Sequence, residues 1–140
     1  MNEQERNAKI DYLKSYRWIE AEIIDDEERL ARLDARLYAP GAVKISDMPR
    51  GGQPITMETL VAEKIELQNR INEKNARRRA ILESIERMRS ERDRRILKLR
   101  FVDGMTHEEV AERINYSVMQ ARRYCDTALE RFDMLNTNDH

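Results

Sequence analysis

The chain has 140 residues, with 26 Lys or Arg against 27 Asp or Glu, a net charge of −1, 38% charged residues and 40% hydrophobic ones. It contains no run of about 18 apolar residues, which excludes a membrane-spanning helix, and Met1-Asn2-Glu3-Gln4-Glu5 does not read as a signal sequence. Four glycines, three prolines and a single cysteine fit an α-protein of one or two small domains and exclude a disulfide-framed secreted one.

Residues 3–39 carry no Pro or Gly and predict one long helix. Tyr12, Tyr16, Ile19, Ile23, Leu30, Leu33 and Leu37 recur at alternating three-four spacing, a heptad seam interrupted at Asp26. Pro40-Gly41 stops this helix, and residues 40–55, with Pro49-Arg50-Gly51-Gly52-Gln53-Pro54, read as a mobile linker. Thr56 caps a second helix running to Ser90, with Leu60, Leu67, Ile71, Ile81, Ile85 and Met88 on its seam and Lys64, Lys74 and Arg78 interrupting it. Laid antiparallel, the two helices bring Glu20, Glu22, Asp25, Asp26, Glu27 and Glu28 near Arg70, Lys74, Arg77 and Arg78. The same register sets Tyr12, Tyr16 and Ile19 opposite Ile81, Ile85 and Met88. The pattern favours a helical hairpin within one chain, although the same seams can close between two chains. Ile10, Leu13, Trp18 and Ile24 lie off the seam, which calls for a second partner: the C-terminal helices or another subunit.

The last third has the order helix, glycine stop, short helix, tight turn, helix. Glu91 to Phe101 form the first, and Gly104 ends it in a left-handed conformation. Thr106 caps the next with Glu109 at capping-box distance, and Ser117 caps the last. Leu97, Phe101, Val110, Ala111, Ile114, Val118, Ala121, Cys125, Ala128 and Phe132 follow the helical period as buried positions, and small Ala111 allows close helix approach. Cys125 reads as a core residue. Met119, Gln120, Arg122, Arg123 and Thr127 are left on the outer face of the last helix. Gln and Arg can pair with adenine and guanine edges, so Gln120 and Arg123 are the candidate base contacts, with Ser117 and Arg122 on phosphate. Tyr124 is expected to pack on the rim of this helix.

These residues resemble the fourth region of bacterial sigma factors: Leu97, Leu99, Arg100, Phe101, Gly104, Glu109, Val110, Ala111, Ile114, Ser117, Ala121, Arg122 and Ala128 match in order and spacing over roughly residues 91–132. Asn115 stands where that family usually has a turn glycine, and Asn tolerates the left-handed conformation. Gln120-Ala121 replaces the usual Thr-Val. The resemblance implies a helix-turn-helix that binds double-stranded promoter DNA, in company with RNA polymerase. The whole order of parts is similar to phage and prophage late-operon activators of the RinA and ArpU kind, which implies a transcriptional activator in the cytoplasm of a bacterial host.

From Arg70 to Arg100 there are twelve basic and five acidic residues, whereas residues 91–134 balance at nine of each. Thr106, Arg92, Arg94, Arg95 and Lys98 are therefore added as candidate phosphate contacts. Chemistry of other kinds finds little support. His107-Glu108-Glu109-Val110-Ala111 begins like a zinc-protease helix, but Ala111 stands where the second histidine belongs. His107 reads as a solvent-facing first-turn residue. No metal, cofactor or catalytic residue is expected.

The expected architecture is all-α: residues 1–90 a long helical hairpin for assembly, residues 91–134 the DNA-binding helix-turn-helix, and residues 135–140 a disordered tail. A homodimer or higher homo-oligomer is expected. Two other functions remain open: a terminase small subunit for DNA packaging, and a polymerase- or sigma-binding adaptor that does not touch DNA.

Overall fold

A computed structural model describes residues 1–38 and 56–134 of the chain; the predicted linker and tail lie outside them. Five helices occur among these residues, and no strand: α1 (Glu3–Tyr38), α2 (Met57–Glu86), α3 (Glu91–Leu97), α4 (His107–Ile114) and α5 (Val118–Arg131). The architecture is a long helical hairpin followed by a helix-turn-helix.

The described residues pack as two compact units. One contains residues 1–20 and 76–134, and the other the described part of 21–75. Within residues 21–75 the helices run antiparallel in the expected register. Leu33, Leu37 and Leu60 form an apolar cluster, and Asp34 meets Lys64 at 2.9 Å. The seam's interruption is itself a packed element. Asp26 is 1% exposed, and its carboxylate accepts from Lys74 at 2.7 Å, Arg29 at 2.9 Å and Arg70 at 3.3 Å. Glu22 adds a second carboxylate to Lys74 at 3.3 Å. The Lys74 hydrogen bond holds the Asp26 carboxyl below its ordinary range against the opposing effect of burial, and Asp26 raises Lys74 in return.

In the other unit the N-terminal part of α1 and the C-terminal part of α2 continue antiparallel, with the Tyr12 and Ser84 hydroxyls at 3.3 Å and Glu20 paired to Arg78 at 3.7 Å. Here off-seam Leu13 is fully buried, as a second layer of helices requires, whereas Trp18 stays 72% exposed. Lys9 donates to the backbone carbonyls of Leu129 at 2.9 Å and Glu130 at 3.2 Å, satisfying the open C-terminal end of α5. Arg6 pairs with Asp126 at 2.8 Å, and Tyr12 lies against Phe132. Burial of Leu13, Ile85, Ile96, Leu97 and Phe132 contributes about 1.5–3 kcal/mol per side chain.

Two helix boundaries depart from the sequence pattern. α2 ends at Glu86 rather than running to Ser90. The Arg94 guanidinium accounts for the early stop: it donates to the carbonyls of Met88 and Arg89, and Ser90 turns to cap α3 by accepting from the Asp93 amide at 3.2 Å. The helix carrying Phe101 is regular only to Leu97. Lys98–Val102 form a π-helical turn, with the Asp103 amide donating to the Lys98 carbonyl at 2.9 Å.

Candidate nucleic-acid interface

The interface is assembled from helix ends. Gly104 has φ +71, the left-handed conformation predicted for the stop after Phe101. Thr106 then opens α4 with a complete capping box: its hydroxyl accepts from the Glu109 amide at 3.2 Å, and the Glu109 carboxylate accepts from the Thr106 amide at 3.2 Å. Asn115 closes α4 at φ 65, ψ 41, doing in the turn what a glycine would do without strain. Ser117 opens α5 with a second box, its hydroxyl accepting from the Gln120 amide at 3.1 Å. Because each end is fixed locally, the angle between α4 and α5 is defined over very few residues.

Apolar packing fixes the rest. Val110, Ala111, Ala121, Cys125, Ala128, Leu129 and Phe132 are buried, and Ile96, Leu97, Leu99 and Phe101 cover them from α3 and the π turn. Ile114 and Val118, predicted as core, are half-buried because they flank the tight turn. Burial raises the Cys125 thiol to about 11, so it stays protonated and packs as a small apolar group.

The candidate contact residues on α5 divide into three kinds. Met119 is 70% exposed, and Arg123 is exposed with its side chain in no ion pair or hydrogen bond among the described residues. Arg122 is exposed but reaches Glu108 at 3.5 Å. Ser117, Gln120 and Thr127 are occupied: the Gln120 side-chain oxygen accepts from the Ser117 amide at 3.4 Å, and the Thr127 hydroxyl donates back to the Arg123 carbonyl at 3.1 Å. For Gln120 to pair with an adenine edge, its half of the capping box has to open.

The candidate phosphate contacts outside α5 are similarly sorted. Arg95 is exposed. Arg92 lies on the Tyr124 ring, 3.9 Å from its centroid, with Tyr116 edge-on to the same ring at 5.1 Å. Tyr124 thus packs on the helix rim as expected. Lys98 pairs with Glu86 at 3.3 Å, Arg94 caps the end of the preceding segment, and the Thr106 hydroxyl serves its helix. His107 differs from its reading as a solvent-facing residue. It is half-buried, and burial, with Arg100 and Arg122 nearby, pulls its pKa below 6.5. Its surroundings thus favour the neutral imidazole.

The sequence marked Arg100 as a cation in a basic stretch and as a match to the sigma region 4 pattern, without a role for its side chain. In the folded chain its guanidinium donates to the Met105 carbonyl at 3.0 Å, which ties the π turn to the start of α4. Nothing in helical periodicity marks it, because the π turn displaces it from the position a regular helix would give it.

Residues 90–132 match the family described as Sigma-70, region 4. The segment is a sigma-region-4-like helix-turn-helix, and the match covers α3, the π turn, α4 and α5, ending at buried Phe132. That family is a DNA-binding regulatory domain rather than a catalytic one, which points to a DNA-binding regulatory function. No curated protein and no solved structure matches the chain. No helix among the described residues is long and apolar enough to cross a membrane.

Proposed function

We propose that the chain is a sequence-specific transcriptional regulator of a phage or prophage, an activator of a late operon, that reads promoter DNA through α5. The observation carrying this reading is the pair of boxed helices that presents Arg123 and Met119 outward, Arg123 with no ion pair or hydrogen bond of its side chain among the described residues. Arg123 is the proposed base contact and Arg122 a phosphate contact, with Ser117, Gln120 and Thr127 joining when DNA displaces their internal bonds. Thr106, Arg92, Arg94, Arg95 and Lys98 flank the groove. Residues 91–134 are the DNA-reading part and residues 1–90 the assembly part. A homodimer suits a module whose charges balance, since two recognition helices on successive turns, about 34 Å apart, double the phosphate contacts. Host RNA polymerase is the proposed partner at the promoter.

The adaptor reading has one specific observation in its favour: Glu108 lies against Arg122, so a recognition cation is already partly matched within the protein. The two readings separate in one experiment. DNA fragments enriched by the full chain from phage DNA serve as probes in salt-controlled fluorescence anisotropy. Arg123→Ala is expected to cost about 1–3 kcal/mol on the enriched site and to relax sequence preference, whereas Arg122→Ala weakens all DNA alike. Unchanged affinity in the double alanine variant would remove the recognition-helix reading, and a full chain that enriches no DNA would favour the adaptor.

A further inference from the structure

Beside the start of α4, and outside the helix-turn-helix itself, Lys14, Arg17 and Trp18 of α1 border a surface pocket of about 380 Å³ with Arg100, Phe101 and Gly104. Three of these six residues are cations and none is a carboxylate. Two of the cations are held in place. Arg17 donates to the Val102 carbonyl at 3.4 Å, and its guanidinium lies so close over Gly104 that a Cβ there would meet it at 2.5 Å. Arg100 donates to the Met105 carbonyl. Lys14 is exposed and makes no hydrogen bond or ion pair among the described residues.

The position of the pocket matters more than its shape. Gly104 leads directly into Thr106 and α4, and His107 on the first turn feels the positive charge of both Arg100 and Arg122. The pocket's cations Arg100, Arg17 and Lys14 thus border the loop that leads into α4, whose Glu108 reaches Arg122 of the recognition helix at 3.5 Å; exposed Asp103 is the carboxylate next to Gly104, and Asp126 is held by Arg6. In a helix-turn-helix the first helix crosses the phosphate backbone beside the groove that the second one enters.

We infer that Lys14 and Arg17, with Arg100, form a backbone-phosphate contact that extends the DNA footprint from the helix-turn-helix onto α1. This rests on the proposed DNA-binding function and adds a contact that the recognition helix does not supply. The contact is to phosphate alone, so it raises affinity without reading sequence. It also lets a neutral helix-turn-helix hold DNA, because the missing positive charge comes from a segment remote in the chain.

The test compares Lys14→Gln/Arg17→Gln with the wild-type full chain on a random-sequence duplex and on an enriched fragment, by anisotropy from 50 to 200 mM salt. Each phosphate contact contributes about 0.9 to the slope of log affinity against log salt. The variant should therefore bind both duplexes about tenfold or more weakly at 50 mM salt. Its slope should be shallower by about two, with the ratio between the two duplexes unchanged. Because Arg17 also packs on Gly104, Lys14→Gln alone, whose side chain holds nothing in the fold, should lower the slope by about one with the same melting temperature. A variant that binds DNA with the wild-type affinity and slope would overturn the contact. Wild-type chain that binds neither duplex at 50 mM salt would overturn this inference together with the DNA-binding reading.

Discussion

Asp26 and Ala121 hold comparable places, each enclosed where helices meet, and they mark two ways of fixing a helical structure. In residues 21–75 the buried apolar side chains are few, namely Ile23, Leu33, Leu37, Leu60 and Leu67. A polar group adds to the register: Asp26 of α1 meets Lys74 and Arg70 of α2 in this alignment, while Arg29 follows it along α1 in any alignment. In α4 and α5 the core is apolar and small, and the polar groups act at the ends, as caps and as the left-handed turn at Asn115. Register is therefore specified from the middle in one region and from the termini in the other. The first arrangement rests on a buried ion pair, the second on caps and one left-handed residue.

The largest effect is expected from Leu33→Asp. It removes a leucine from the cluster with Leu37 and Leu60 and puts an unpaired carboxylate there, at a cost of about 4 kcal/mol or more. Circular dichroism should show loss of helicity; an unchanged melting curve would mean that the seam is not buried.

Next is the charged centre. Asp26→Ala leaves Lys74 without its main partner and is expected to cost about 2–3 kcal/mol, below the usual range for a buried pair because the lysine head can reach water. Asp26→Leu/Lys74→Leu should restore or exceed wild-type stability at pH 7. The two forms part on titration. A carboxylate whose pKa is lowered on folding stabilises above the ordinary value of 3.8 and loses that contribution as pH falls through the lowered one. Lys74, raised on folding, contributes below 10.5 and loses its share as pH rises through the higher value. Melting temperature should thus fall at both pH extremes in the wild type and change less in the double leucine variant. Parallel curves would show that the pair does not set the stability of this region.

In the helix-turn-helix, Asn115→Val forces a β-branched residue into φ 65 and is expected to cost about 1–2 kcal/mol by thermal melt, whereas Asn115→Gly should be tolerated. Ser117→Ala should lose about 1 kcal/mol. Gln120→Ala should lose less, because it removes only the second half of the box. An Asn115→Val chain as stable as wild type would mean that the turn can relax without a left-handed residue.

The features readable from sequence were those governed by neighbours along the chain. Thr106 with Glu109, Ser117 as a cap, Gly104 and Asn115 are decided within four residues, and periodicity alone placed Cys125 and Ala128 inside. The pairing of Glu22 and Asp26 with Lys74 was legible because an antiparallel register leaves few ways to match a run of acids with a run of bases. Other features depend on which side chain arrives from far away. Leu13 needed a second partner, but only the fold shows which layer supplies it. Lys9 on the end of α5, Arg94 on the carbonyls after α2 and Arg92 on Tyr124 remove cations that the sequence could only count as surface charge. Gln120 was read as a base contact from its outward position, and the same position lets it reach back to Ser117. The π turn escaped because its hydrogen-bond shift leaves no periodic mark in five residues.

That turn has a genetic consequence. A π turn carries one residue more than the α-helix it replaces, so deleting any one codon across residues 98–102 would let the backbone resume ordinary helical bonding. The mended helix would be regular and wrong: the segment after the turn would keep roughly its phase, but residues within the turn would shift around the axis. Leu99 and Phe101, both buried, would then lose their places in the core. A chain one residue shorter across 98–102 should accordingly melt at a lower temperature than the wild type, although its helix there has become regular.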